Sequence, residues 1–296
     1  MSEQTSEHAP LSHHPRPPER DSGRYQNFRN DQSSYPLFHF SDIVEFKTNT
    51  DNRTVTHTGM VIEKCVTKPN TYNVLVQKKT FKVHASQLKW VSKRNYRKAK
   101  IHYLFSQESP QFHEDVQYDD VSLYSATDQM SARAIAQVLL SLPNIDKSSV
   151  VTDATACIGG NTIEFARVFD HVQAIDIDSA RVHMLKHNLN LLELATRVSV
   201  QEADYCKVYS TIEQDIIFVD PPWGGKRYKR FEQVRLFLGQ YDVANLAVLL
   251  LAHTNHLVIK VPSNFDVRHF AQTVRRRTRV VRITHKLMLV VVSASD

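Results

Sequence analysis

The chain is poor in glycine. Seven glycines in 296 residues is well below the roughly 7% of average usage, so backbone positions that need left-handed or crowded conformations must be few. Four of the seven stand in two pairs, Gly159-Gly160 and Gly224-Gly225. Cysteine is scarcer still. Cys65, Cys157 and Cys206 are widely spaced, which excludes a disulfide framework and a paired metal-ligand motif and fits a reducing compartment with no metal. Long apolar runs are also missing: the longest, Val243 to Leu251, is broken by Asn245 and falls far short of the roughly 20 residues of a membrane span. The first residues hold no apolar h-region, so no secretory signal, no membrane and no secretion are expected. Acidic residues are absent from three basic clusters, "KWVSKRNYRKAK" (Lys89 to Lys100), "KRYKR" (Lys226 to Arg230) and "RRRTRVVRITHK" (Arg275 to Lys286). Within a net charge of +6, such clusters suit either a phosphate backbone or a solvated face.

What is present divides the chain into four parts. Residues 1–35, rich in Ser, His, Pro, Arg and Gln with few aliphatics, cannot bury enough surface to offset the entropy of ordering and read as a disordered tail. Residues 36–93 carry short β-rich runs, "DIVEF", "GMVIEKCV", "TYNVLVQ" and "TFKVHASQLKWV", at the spacing of a small antiparallel barrel of the Tudor or KOW type. Trp90 is either its core closure or an exposed ligand contact. Residues 94–130 form a helical lead-in. Residues 131–296 alternate helix-like and strand-like segments, from "SARAIAQVLLSL" to "DVRHFAQTV", which predicts a parallel sheet covered on both faces. The closing "VVRITHKLMLVVVSA" reads as an antiparallel hairpin at the sheet edge.

Four strand ends carry chemistry. "VTDATACIGGNTIEFA" passes from a strand through a small-residue turn into a helix, where glycines let backbone N–H groups approach a ligand. It is not GxGxxG, which weakens a dinucleotide reading, and Asp153 at the strand end suits a cationic group such as a methionine amine. Asp176 in "AIDID" follows 23 residues later, close to the roughly 20-residue interval at which an acid reaches a ribose hydroxyl; Asp178 is the cap of the next helix. In "EADYC", Asp204 can accept from an adenine amine and Tyr205 can lie against the ring. "DIIFVDPPW" then matches the (D/N/S)PP(W/Y/F) pattern of methyltransferases that act on exocyclic amines. The lone pair of such an amine is delocalised into the ring, so the site must accept its N–H bonds. Asp220 and the Pro221 carbonyl are acceptors held by the fixed φ of Pro221 and Pro222, and Trp223 can stack on the base.

Taken together, "DATACIGGNTIEFA", "AIDID" and "PPWGG", preceded by "YLFSQ" and "LYSATDQMSARAIA" and followed by "HLVIKVPSN", resemble the trimethylguanosine synthase family, the RNA cap guanine 2-amino methyltransferases, over about residues 95–294. The resemblance implies an α/β fold: a Rossmann-like, seven-stranded class I methyltransferase domain beside the small N-terminal barrel. It implies S-adenosyl-L-methionine as cofactor, held by Ser125, Thr127, Asp153, Gly159, Asn161, Thr162, Asp176, Asp204 and Tyr205. It also implies a 7-methylguanosine-capped RNA as substrate, stacked on Trp223, and one or two methyl transfers to its 2-amino group at Asp220, Pro221, Pro222 and Trp223. The chain departs from the family where Leu123 replaces an aromatic residue and where Lys226-Arg227-Tyr228 follows the glycine pair. Lys226, Arg227 and Tyr228 are accordingly assigned to substrate binding, Lys226 and Arg227 as phosphate contacts, with Lys260 and Arg275 to Arg277 as further phosphate candidates. A monomer is expected, in a eukaryotic nucleus or, for a viral source, in the host nucleus or cytoplasm. Two other readings stay open: an amine methyltransferase acting within ribosomal RNA, other RNA or DNA, and a non-catalytic RNA-binding protein.

Overall fold

In the computed structural model, the described residues are 43–50, 53–64, 68, 70–76, 79–90 and 93–294. The tail expected over residues 1–35, Cys65, and the side chains of Trp90 and Lys226 lie outside them. The expected β-rich runs form β1 (Ile43–Thr50), β2 (Arg53–Lys64), β3 (Thr71–Val76), β4 (Lys79–His84) and β5 (Lys89–Trp90). They pair antiparallel in the order β4-β3-β2-β1-β5, with a register shift in β2 between Val61 and Glu63. Period-2 alternation sends Val44 and Phe46 of β1 inward, where Val61, Tyr72, Val74, Val83 and Leu88 complete one apolar core, as a half-buried sheet requires.

Four helices lead into the main sheet: α1 (Lys93–Leu104), α2 (Pro110–Asp115), α3 (Ser122–Ser125) and α4 (Gln129–Leu140). Asp128 caps α4 by accepting the Ser131 N–H at 3.0 Å, a favoured N-cap arrangement. Ala132, Ile135, Ala136 and Leu139 then fall on its buried face, at the spacing the sequence predicts for an amphipathic helix.

The main sheet is built from β6 (Val150–Asp153), β7 (His171–Asp176), β8 (Val198–Glu202), β9 (Ile216–Val219), β12 (His256–Pro262), β13 (Thr278–Arg282) and β14 (Leu287–Ser293). Between them run α5 (Thr162–Val168), α6 (Ser179–Leu191), α7 (Tyr205–Val208), a 3-10 segment at Gly225–Arg230, the short hairpin β10 (Phe237–Leu238) and β11 (Tyr241–Asp242), α8 (Val243–Leu250) and α9 (Val267–Val274). The order is β13-β14-β12-β9-β6-β7-β8, with β14 alone antiparallel to its neighbours. The expected parallel sheet and closing hairpin are both present.

Alternate residues of each strand feed two cores. In β9, Ile216 and Phe218 join the cluster under α4, α5 and α6, while Ile217 and Val219 join the one under α8 and α9. A sheet buried on both faces in this way is nearly uniformly apolar, and β12 is buried at all seven positions. Strand order puts β6 in the interior of the sheet, with β7 on one side and the central strand, β9, on the other. The carboxyl ends of these three strands flank a topological switch point, where open α/β sheets place their ligands.

Candidate active site

Strand β6 ends in a carboxyl group that water does not reach. Asp153 has no exposed surface and accepts from the Thr162 hydroxyl at 2.7 Å and the Thr155 N–H at 3.3 Å. Burial pushes it up to about 7; those hydrogen bonds oppose the rise, and the nearby carboxylates of Asp220 and Asp176 add to it. The turn that follows is tightly determined. Cys157 adopts a left-handed φ of 51°, uncommon for a non-glycine residue, and its N–H donates to Asp176 Oδ2 at 2.8 Å. Gly159 has φ of 102°, and a Cβ on Gly160 would lie 2.9 Å from both the N and the O of Thr127. The buried Asn188 side chain of α6 donates to the Ile158 carbonyl at 3.1 Å, tying the turn to that helix. Asn161 is 5% exposed, and its Oδ1 has no partner among the described residues. A buried polar atom without a partner is costly, and Asn161 stands where this turn enters α5. Burial raises the Cys157 thiol to about 12, so thiolate chemistry is not available there.

The next two strand tips differ from each other. Asp176 is largely buried, and its two oxygens accept from Cys157 and Asp178 N–H groups at 2.8 and 2.9 Å. Asp178 caps α6 through the Ala180 and Arg181 N–H groups, as read from the sequence. Asp204 caps α7 through the Cys206 N–H at 3.1 Å and lies 3.4 Å from Lys207 Nζ. Beside it a cavity of about 280 Å³ is lined by Cys206, Lys207 and the hairpin turn at Gly239, Gln240 and Tyr241. Tyr205, by contrast, is placed in the α8 and α9 core with 3% exposure, and its hydroxyl donates to Gln214 Oε1 at 3.1 Å.

Beyond β9 the chain enters the Pro-Pro-Trp loop. The Asp220 N–H donates to Thr155 Oγ1 at 2.9 Å, which couples this loop to the Asp153 turn. Asp220 Oδ2 accepts from Lys260 Nζ at 2.6 Å, and the same ammonium donates to Thr127 Oγ1 at 2.7 Å. Burial raises the Asp220 carboxyl above its ordinary value, while Lys260 and Thr127 pull it back down. Pro221 is buried and Pro222 exposed. Trp223 packs at the junction of both cores, with the Tyr228 ring edge-on at 5.3 Å and 85° and Lys260 Nζ 5.3 Å from its own centroid. Its buried Nε1 has no partner among the described residues. Gly224 and Gly225 have φ of 79° and 63°, and nothing lies within 4 Å of a Cβ built on either.

The structure therefore gathers Thr127, Asp153, Thr162, Asp176 and Asp220 around the β6, β7 and β9 ends. Ser125, last residue of α3, is exposed. Leu123, where an aromatic residue is the family's habit, is 2% exposed and belongs to the core. Arg227, Lys229 and Arg230 are exposed on the 3-10 segment, and Asn264 Nδ2 holds that segment through the Tyr228 and Phe231 carbonyls at 3.0 and 2.9 Å.

Two phosphate candidates require correction. Lys260 is buried in β12 and engaged by Asp220 and Thr127, because its position in a fully buried interior strand points the side chain under the loop rather than outward. Arg275 to Arg277 precede Thr278, which pairs with Val292, the partner of Leu257 near the start of β12. They lie at the opposite end of the sheet from Asp220. At the site's own end are Arg282 and the turn carrying Lys286, whose ammonium is depressed to about 8 by burial and by Lys229.

Sequence reasoning missed a buried polar network that holds the lead-in against α5. Glu164, 2% exposed, accepts from Arg133 Nε at 3.1 Å, from Gln129 Nε2 at 3.0 Å and from Arg167. Arg167 also donates to Glu108 at 2.7 Å, and Gln129 reaches Glu108 as well. The available signal was a glutamate among the apolar positions of "NTIEFARV". Among the described residues, no group of three or more His, Cys, Asp or Glu could hold a metal ion, and no helix is long and apolar enough to cross a membrane.

The strand order with its single reversed strand, and the acidic strand ends around the switch point, define a Rossmann-like class I methyltransferase fold. Residues 148–293 match the sequence profile of the RNA cap guanine-N2 methyltransferases, and over this segment the chain is similar to that family. It is 32% identical over 150 residues to an uncharacterized protein of Acanthamoeba polyphaga mimivirus, covering 49% of this chain and 59% of that protein. It is 32% identical over 123 residues to the trimethylguanosine synthase of Schizosaccharomyces pombe, covering 40% and 50%. Against the trimethylguanosine synthase of Saccharomyces cerevisiae the identity is 24% over 161 residues, covering 52% and 50%. The chain thus spans about half to three-fifths of the length of these relatives.

Proposed function

We propose that the protein transfers methyl groups from S-adenosyl-L-methionine to the exocyclic 2-amino group of a 7-methylguanosine RNA cap. The observation that carries the proposal is the junction of Asp220-Pro221-Pro222-Trp223 with the Asp153 turn, joined through the Thr155 hydroxyl, in a segment similar to the cap guanine-N2 methyltransferase family. The residues present fit the cofactor. Asp153 is a carboxyl that a cationic amine would ionise. Asn161 Oδ1 is an acceptor awaiting a donor. Gly160 lies against Thr127 so closely that a side chain there would displace backbone. In this reading Asp153, Gly159, Asn161 and Thr162 hold the amino-acid end, Asp176 and Asp204 the nucleoside, and Ser125 and Thr127 the surroundings, while Tyr205 stays in the α8 and α9 core. When bound, S-adenosyl-L-methionine supplies an electrophilic sulfonium methyl.

The chain's own residues supply positioning. Asp220 and the Pro221 carbonyl accept the N–H bonds of the base amine, so its lone pair is aimed rather than delocalised, and proximity does most of the work. Trp223 stacks on the base, and a cationic 7-methylguanine gains an electrostatic term on an indole face that neutral guanine lacks. Tyr228 braces Trp223 from its edge. Lys226 and Arg227, with Lys229 and Arg230 beside them, contact the cap phosphates and the RNA that follows. We further propose that residues 36–93 form a Tudor- or KOW-like barrel module, that residues 94–130 cover the site, and that the protein acts as a monomer in a nucleus or, if viral, in the host nucleus or cytoplasm.

Incubation with labelled methyl donor and 7-methylguanosine-capped, guanosine-capped or uncapped RNA, followed by digestion to nucleosides, tests the function. Label is expected only in the 2-methylated cap nucleoside from the pre-methylated cap. Label in internal nucleosides, independent of the cap, overturns the reading in favour of an amine methyltransferase acting within RNA. Absence of S-adenosyl-L-methionine binding by calorimetry overturns it in favour of a non-catalytic RNA-binding protein.

A further inference from the structure

We propose that Lys260 is a positioning residue of this site: its ammonium fixes the Asp220 carboxylate in one orientation as an acceptor and occupies one face of the Trp223 indole, so that the substrate base uses the other. The proposal deepens the reading of Asp220 and Trp223 given above and rests on it.

The argument begins with where the lysine stands. β12 is buried at every position, and Lys260 interrupts it between Ile259 and Val261 with a side chain only 7% exposed. A lysine buried this deeply is rare unless paired, because removing an ammonium from water costs far more than an aliphatic side chain would. Its partners define what it is for. They are Asp220 Oδ2 at 2.6 Å, Thr127 Oγ1 at 2.7 Å and the Trp223 ring at 5.3 Å. Thr127 and Asp220 lie 133 and 40 residues from Lys260 in sequence, so one ammonium joins the lead-in, the β9 loop and β12 at a single point.

The charged groups that face Asp220 are Lys260 from β12 and Asp153 from β6, whose own carboxyl feels Asp220 and, from β7, Asp176. Without Lys260, buried carboxyl groups would face one another with no cation between them. Like charges in a low-dielectric site cannot all ionise, so Asp220 would take up a proton. A protonated carboxyl presents a donor where the base amine needs an acceptor. Lys260 keeps the acceptor form, and by hydrogen-bonding Oδ2 it also sets the direction of the carboxylate. Its place beside the indole has a second consequence. A cationic base and the ammonium would repel on the same ring face, so they must take opposite ones.

Carboxyl ¹³C NMR of the ligand-free protein, with Asp220 assigned by its loss in Asp220→Asn, reads the first role without any reaction. In Lys260→Met the Asp220 titration midpoint is expected to rise by about one pH unit or more, and in Lys260→Arg, which keeps the charge, to stay near the wild-type value. The acid limb of the methyl-transfer profile should move upward in parallel in Lys260→Met, with activity recovering at higher pH and KM for the capped substrate changing less than kcat. Lys260→Gln, which keeps a hydrogen bond without the charge, provides the same readings if the Met variant does not fold. An unmoved Asp220 midpoint in the uncharged variants, or a loss of activity equal at every pH, overturns the proposal. A shifted midpoint in a protein that methylates no cap upholds the role of Lys260 while removing the proposed function.

Discussion

The two glycine pairs stand at the ends of adjacent strands, and they do different work. Gly159-Gly160 lies in a turn whose every neighbour is fixed: Cys157 is left-handed, Asn188 holds the Ile158 carbonyl, and Thr127 backbone fills the space beside Gly160. Gly224-Gly225 is exposed, and nothing approaches the space a side chain would take. The first pair is required by crowding as well as by φ, whereas the second is required by φ alone. A crowded turn can hold one ligand in one pose. An open turn beside Trp223 leaves the neighbouring space unfilled, and its cost is conformational rather than steric.

The largest expected effect separates chemistry from scaffold. Asp220→Ala should lower methyl transfer by about a hundredfold or more, as removal of one preorganised hydrogen-bonding group commonly does, while binding of S-adenosylhomocysteine by calorimetry stays within a few-fold. Equal losses in both would erase the distinction between the two turns. Next in size, Gly160→Ala should destabilise the fold by about 1–3 kcal/mol in chemical denaturation, because the Thr127 backbone would have to shift. Gly224→Ala should cost about 1 kcal/mol, since only the left-handed φ is strained. If the two variants match, crowding is not what distinguishes the pairs.

A third prediction concerns Asp153, whose folded value of about 7 lies above the ordinary 3.8. The folded state keeps this proton after the unfolded chain has lost it. Its contribution therefore favours folding at low pH, is lost as pH rises from about 4 to about 7, and is level above that. The difference in denaturation midpoint between wild type and Asp153→Asn should follow that window. Binding of a cationic amine would expel the proton, so wild-type affinity for S-adenosyl-L-methionine should rise between about pH 6 and 8, and in Asp153→Asn it should be weaker and flat. The smallest effect falls on the exposed 3-10 segment. Arg227→Ala and Lys229→Ala should leave stability unchanged and each reduce the salt dependence of capped-RNA binding by about one phosphate contact, measured as the slope of log affinity against log salt. An unchanged slope removes these residues from the RNA path.

Much of this was legible in the chain because it depends on local pattern. The alternating strand and helix runs, the cap at Asp178, and the acids closing β6, β7 and β9 are short-range features with short-range causes. Tyr205 shows the limit. Its place beside Asp204 suggested a ring offered to a ligand, yet a single helical turn carries it into the α8 and α9 core. Lys260 shows it again. A lysine in "HLVIKVP" reads as a free cation until β12 is placed between β9 and β14, which leaves its side chain almost wholly buried. Glu164 was hidden for the same reason, since its partners come from the lead-in and from its own helix together.

The sequence by itself determined the fold class, the order of the strands along the chain and the residue types at each strand end, because periodicity, caps and turn residues act within a few positions of one another. Only the tertiary structure decided which charges meet. It put Lys260 against Asp220, sent Arg275 to Arg277 to the far end of the sheet, and made one glycine pair crowded and the other free. Those outcomes depend on strand register and packing between distant segments, and it is burial there that turns an ordinary charge into a paired one.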